Sequence, residues 1–152
     1  MANEFVGWSI RAVLISVSQL DRSANFYQEV MGAAEAHLED RIAIIGSTNE
    51  TCTFYLREAY RNAPHVGPEV LGLRSLSINV GSFVELDRVE QSLRAHDSFR
   101  DRQVFDDVLR MEAVRGYDPD RLPLSFVAHE FGRELSPADL SRVATVLYGI
   151  DV

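Results

Sequence analysis

Apolar and polar positions change rhythm several times along this chain, and each change marks an element. Residues 11–17 are β-branched and apolar, as a buried strand would be. Asp21 then offers an N-cap to a helix over 23–31. Phe26, Tyr27, Val30 and Met31 recur there at helical spacing, and Gly32 supplies a left-handed stop. Three short strand-like runs come next, at 34–38, 41–46 and 51–57, the last alternating threonines with aromatics. Turns at Glu39-Asp40 and at 47–50 divide them. The predicted order is β-α-β-β-β.

A stretch containing Pro and Gly, 63–72, reads as a linker, and then the pattern restarts. Leu76, Ile78 and Val80 alternate with Ser75, Ser77 and Asn79 in a strand over 73–80. Ser82 with Glu85 forms a capping box, and Phe83, Leu86, Val89 and Leu93 line one face of a second helix. Residues 99–109 are ambiguous, because Phe105, Val108 and Leu109 also fit a helical turn. Runs at 108–115 and 124–129 read as strands, divided by a turn at 117–120. Ala12 and Ser75, equivalent strand positions, lie 63 residues apart, so the second half repeats the first. A last helix opens at Ser136-Pro137-Ala138-Asp139, with Leu140, Val143, Ala144 and Leu147 on its packing face. The expected class is therefore α+β, a single domain over 1–152. It holds two βαβββ repeats, about 8–60 and 72–130, a linker at 61–71, and an extra helix at 136–149.

Composition narrows the function. The 152 residues carry 23 acidic against 15 basic side chains, a formal net charge of −8. Phosphate binding needs a concentrated basic patch, so no nucleic acid and no anionic membrane partner is expected. All fifteen basic residues are Arg, which removes Schiff-base and Walker-type chemistry, both of which need an amine. The single cysteine, Cys52, excludes an intramolecular disulfide and a Cys-based zinc cluster. No apolar run approaches the ~20 residues of a membrane helix. Residues 2–17 lack the charge order of a signal peptide, so a cytoplasmic location is expected.

Val17-Ser18-Gln19-Leu20-Asp21-Arg22-Ser23, followed by Phe26-Tyr27 and Val30-Met31-Gly32, resembles the first-helix motif of the vicinal oxygen chelate superfamily. That superfamily includes glyoxalase I, extradiol dioxygenases, and bleomycin- and fosfomycin-resistance proteins. Asp118-Pro119-Asp120 resembles its turn before the final strand, and the resemblance covers about residues 8–130. Gln19 stands where the motif has Asp, and Arg121 where the turn has Gly. The resemblance implies curved mixed sheets whose concave surface forms a cleft for a small molecule. It also implies, in the metal-dependent members, a divalent ion held by His or Gln on a first strand and Glu on a last one.

Those ligand positions fall here on Ala12, Ser75, Ser125 and about Thr53, with Tyr55 beside the last. Alanine cannot ligate, and neutral hydroxyls are poor ligands for such ions. No metal and no cofactor is therefore expected. His37, His65, His96 and His129 do not fall at a pair spacing that would rebuild a site.

What remains for the cleft is Ala12, Leu14 and Ser16, then Ser75, Ser77 and Asn79. Thr51, Thr53, Tyr55 and Arg57 join them from one strand, and Ser125, Val127 and His129 from another. Such a surface orients an aromatic, polar small molecule by stacking and hydrogen bonds. Arg57, Asn79, Ser75, Ser125, Thr53 and Trp8 are the ligand-binding candidates, Trp8 as a plug at one end. His129 is the first candidate for proton transfer, since His titrates near neutrality, and Tyr55 is the second. Three functions compete: a ligand-binding homodimer, a metal-independent enzyme using His129 or Tyr55, and a non-catalytic subunit docking through its last helix.

Overall fold

The computed structural model describes residues 11–33, 36–46, 52–64, 75–105, 110–130 and 138. The chain divides into two compact units, Met1–His65 and Val66–Val152, each carrying one βαβββ repeat. Trp8, Thr51, His65 and, apart from Ala138, the expected helix at 136–149 lie outside the described residues.

In the first unit β1 (Ala12–Val17) leads into α1 (Leu20–Met31), and β2 (Ala36–Glu39), β3 (Ile42–Gly46) and β4 (Thr53–Glu58) follow. The sheet order is β1-β4-β3-β2; β1 and β4 run parallel and the other pairs antiparallel. Alternation sends Ile15, Val17, Ala43, Ile45, Phe54 and Leu56 to one side. There they meet Leu20, Ala24, Phe26, Tyr27 and Val30 of α1, and both sets are buried. The helix starts earlier than expected. Gln19, not Asp21, is the N-cap, and it makes no side-chain capping bond. Burying Leu20, 6% exposed, draws the start back one turn, and that burial outweighs a cap worth about 1 kcal/mol. Asp21 instead sits in the first turn, where its carboxylate meets the positive end of the helix dipole. Gly32 ends the helix at φ 65°, as expected, and Ala33 N–H donates back to Gln28 O at 3.0 Å.

The second unit repeats this plan with β5 (Leu76–Asn79), α2 (Phe83–Ala95), β6 (Phe99–Val104), β7 (Met111–Tyr117) and β8 (Pro123–His129). Its sheet order is β5-β8-β7-β6, again with one parallel pair, β5 with β8. Ser82 caps α2 as the sequence predicts, its Oγ accepting from Glu85 N–H at 3.2 Å. Leu86, Val89 and Leu93 are buried on the α2 side together with Val114, Leu124, Phe126 and Ala128. The ambiguous segment resolves into a strand, β6, with a bulge between Phe99 and Asp101. The strand expected at 108–115 begins at Met111, and 106–109 lie outside the described residues. In the turn after β7, buried Asp118 accepts N–H bonds from Asp120 and Leu122 at 2.9 and 2.8 Å. Arg121 adopts φ 73° there, and its guanidinium lies 4.4 Å over the Tyr117 ring.

Candidate functional site

Strand register assembles the candidate residues into rows. In the first unit, the face turned away from α1 carries His37, Ile44, Tyr55 and Leu14 as direct cross-strand neighbours. The next row is Glu39, Ile42, Arg57 and Ser16, and the row on the other side holds Gly46, Thr53 and Ala12. Side chains directly opposite one another sit about 5 Å apart, so each row is a contact line. Thr53, Tyr55 and Arg57 therefore share one face, as expected from their spacing. The face is open: Leu14 is 66% exposed, Ile42 43% and Tyr55 37%. Arg57 is also exposed, and it has no hydrogen-bond or ion-pair partner among the described residues. His37 Nε2 stands 3.9 Å from Glu39 Oε2 at the far edge.

The corresponding face of the second unit is built differently. Ser77, Ser125, Arg115 and Asp101 form one row, and Asn79, Val127, Ala113 and Gln103 the next. Arg115 forks onto Asp101, Nε to Oδ1 at 2.6 Å and Nη2 to Oδ2 at 2.5 Å. That guanidinium is only 13% exposed, and Ser125 beside it is buried. Phe105, Met111 and Ala113 make a buried apolar cluster with Val127 packed against it. His129, half-buried, pairs with Met111 at the end of β8, and Ser75 directly precedes β5. Ser125, Asn79 and His129 are thus brought to one sheet face.

The Asp101 carboxyl is held below its ordinary value, chiefly by the hydrogen bond from Arg115. A lowered folded-state value adds stability that is complete above the unfolded value near 4 and is lost as pH falls through the folded one. Asp101→Asn should therefore lower unfolding free energy by about 1–2 kcal/mol at pH 7, discounted because the carboxylate is one-third exposed. Urea unfolding at pH 7 and pH 3 checks this: the gap between variant and wild type should narrow at pH 3.

The register also bears on the metal implied by the resemblance. Ala12 pairs with Thr53, whereas Ser125 pairs with Ser77, and the 63-residue offset maps Ser77 onto Leu14. Leu14 pairs with Tyr55, so Tyr55, not Thr53, is the counterpart of Ser125. The donor set is then a methyl group, two aliphatic hydroxyls and a phenol. Arg115, across the strand from Ser125, is already neutralised by its fork onto Asp101. A methyl group, two aliphatic hydroxyls and a phenol do not suit a divalent cation, which wants imidazole or carboxylate. Among the described residues, no three His, Cys, Asp or Glu side chains gather as a metal would require.

Sequence reasoning missed Arg115 and Asp101, and it missed Ile42 and Ile44 of β3. A charged residue between Val114 and Gly116 in an apolar strand was the available signal for Arg115. Two shallow hollows, about 260 and 360 Å³, lie elsewhere. Asp87, Glu90, Gln91 and Arg94 line the first, and Gln19, Leu20, Asp21, Arg22, Asp40 and Glu58 the second. Neither includes a candidate residue. Among the described residues, no helix is long and apolar enough to cross a membrane.

No protein-family model matches the sequence, and no curated protein matches it. Solved structures do. A glyoxylase/bleomycin resistance protein/dioxygenase domain from Frankia sp. EAN1pec superposes with a TM-score of 0.67 at 21% identity, covering 81% of this chain and 98% of that one. A glyoxalase/dioxygenase from Nostoc punctiforme gives 0.64 at 14% identity, covering 81% and 92%. A genomically encoded fosfomycin resistance protein from Listeria monocytogenes gives 0.61 at 13% identity, covering 82% and 94%. Among the described residues there are two four-stranded mixed sheets and two helices, and they give this chain the glyoxalase/bleomycin-resistance fold.

Proposed function

We propose that the chain binds a small, aromatic, polar molecule on a sheet face, without a divalent metal. The observation that supports this is the donor set: Ala12, Tyr55, Ser75 and Ser125 at the ligand positions. Without a metal to chelate oxygens, binding rests on stacking and charge-assisted hydrogen bonds, each worth about 1–3 kcal/mol. The open face around Tyr55 offers both. Proteins sharing the fold include a fosfomycin resistance protein and a lactoylglutathione lyase, each named for a small molecule. The same reading includes assembly as a homodimer, which sedimentation velocity tests.

Elemental analysis of the purified protein is the direct check. Fe, Ni, Mn and Zn should each stay well below one per chain, and divalent ions added at tenfold excess should leave the melting temperature unchanged. A stoichiometric metal would overturn the reading. A thermal-shift screen with aromatic metabolites and antibiotics then identifies the ligand class.

A further inference from the structure

The first unit's open face carries a cation, Arg57, in an apolar setting. With 23 acidic side chains available, Arg88, Arg94, Arg100, Arg102, Arg110 and Arg115 each stand within 4 Å of a carboxylate. Arg57 does not. Its sequence neighbour Glu58 points to the opposite face by strand alternation. Glu39 shares its row, but β3 lies between them, so two strand spacings of about 4.8 Å separate their backbones. The immediate neighbours of Arg57 are Ile42 on one side and Ser16 on the other, with Tyr55 two residues back on the same face.

This arrangement has the parts of a site for one kind of molecule. Leu14, Ile42, Ile44 and the Tyr55 ring form an apolar platform on which a planar ring gains area burial and stacking. Arg57 stands about 6.7 Å along the strand from Tyr55, and its planar fork matches a carboxylate. The Ser16 hydroxyl, next to it in the row, adds a hydrogen-bond donor for the same anion. We infer that the ligand of this face is an aryl carboxylate, its ring on the Tyr55 platform and its anion on Arg57. The inference rests on the small-molecule reading above and narrows it: the charge complement of Arg57 selects an anion over the cationic ligands that the chain's net charge would attract.

An amide-resolved NMR titration with 2-naphthoate, and with 2-naphthalenemethanol as its uncharged analogue, tests this on the full chain. With 2-naphthoate, shifts should concentrate at residues 14, 16, 42, 44, 55 and 57, and the alcohol should bind at least fivefold more weakly. Arg57→Met should remove that preference, Arg57→Lys should restore part of it, and Tyr55→Ala should weaken both ligands. Arg57 is exposed and unpaired among the described residues, so its variants keep the fold, which circular dichroism verifies. If both compounds bind this face equally and Arg57→Met changes neither, the anion assignment is wrong while small-molecule binding stands. If neither perturbs this face, the aryl-carboxylate assignment is overturned, and a thermal-shift screen that also finds no ligand overturns small-molecule binding itself.

Discussion

Tyr27→Ala is expected to lower unfolding free energy by about 3–5 kcal/mol, the range for deleting a buried aromatic side chain. Tyr27 is 1% exposed, and it sits where α1 meets the sheet. Its ring meets Phe26 edge-on at 5.3 Å and stacks on Phe54 at 5.7 Å. Truncation therefore removes area burial and two aromatic contacts, and leaves a void that neighbouring strands cannot close without moving. Urea denaturation reads the loss as a lowered midpoint at nearly constant slope. A loss under 1 kcal/mol would mean that the α1–β4 contact is looser than the packing indicates.

Gly116→Ala should cost about 2–4 kcal/mol, although it adds a single methyl group. A Cβ built at this position would stand 2.4 Å from Ser98 O and 3.2 Å from Leu93 Cδ1. The nearer atom is backbone, already accepting from Tyr117 N–H at 2.9 Å, so it cannot swing aside. Here glycine is required for space, whereas at Gly32 it is required for conformation. Gly46→Ala is the control: nothing lies within 4 Å of its Cβ position, and its midpoint should match wild type. Thermal or urea unfolding of the three proteins separates the cases.

Most of the fold was legible because its strands alternate cleanly and its second half repeats the first. Residues 53–57 and 76–79 show that alternation without help from any partner strand. β6 was not legible, for a physical reason: its sequence, Phe-Arg-Asp-Arg-Gln-Val, places charges on both faces. Two of those charges, Asp101 and Arg102, are satisfied by other elements. Arg102 reaches Asp87 and Glu90 of α2 and Glu112 of β7, and Asp101 takes Arg115. A strand whose polarity is neutralised across the fold has no period of its own to read. The same limit applies to the candidate site. Which residues of one strand share a face follows from alternation, and Thr53, Tyr55 and Arg57 were found that way. Which residue of a different strand stands beside them depends on register, so Ile42, Ile44 and Arg115 emerged only in three dimensions. Register also moved the counterpart of Ser125 from Thr53 to Tyr55.

The parallel pairing of β1 with β4, and of β5 with β8, has a kinetic consequence. The antiparallel meanders β2–β3–β4 and β6–β7–β8 join strands that are close in sequence, and their contacts close short loops. The first strand of each unit must instead find its partner beyond the helix and two intervening strands. That pairing costs loop-closure entropy before any contact repays it, so it sets the pace of folding in each unit. Until it forms, β4 and β8 present an unpaired edge of backbone donors and acceptors, and the chain is most open to mispairing with another copy of itself.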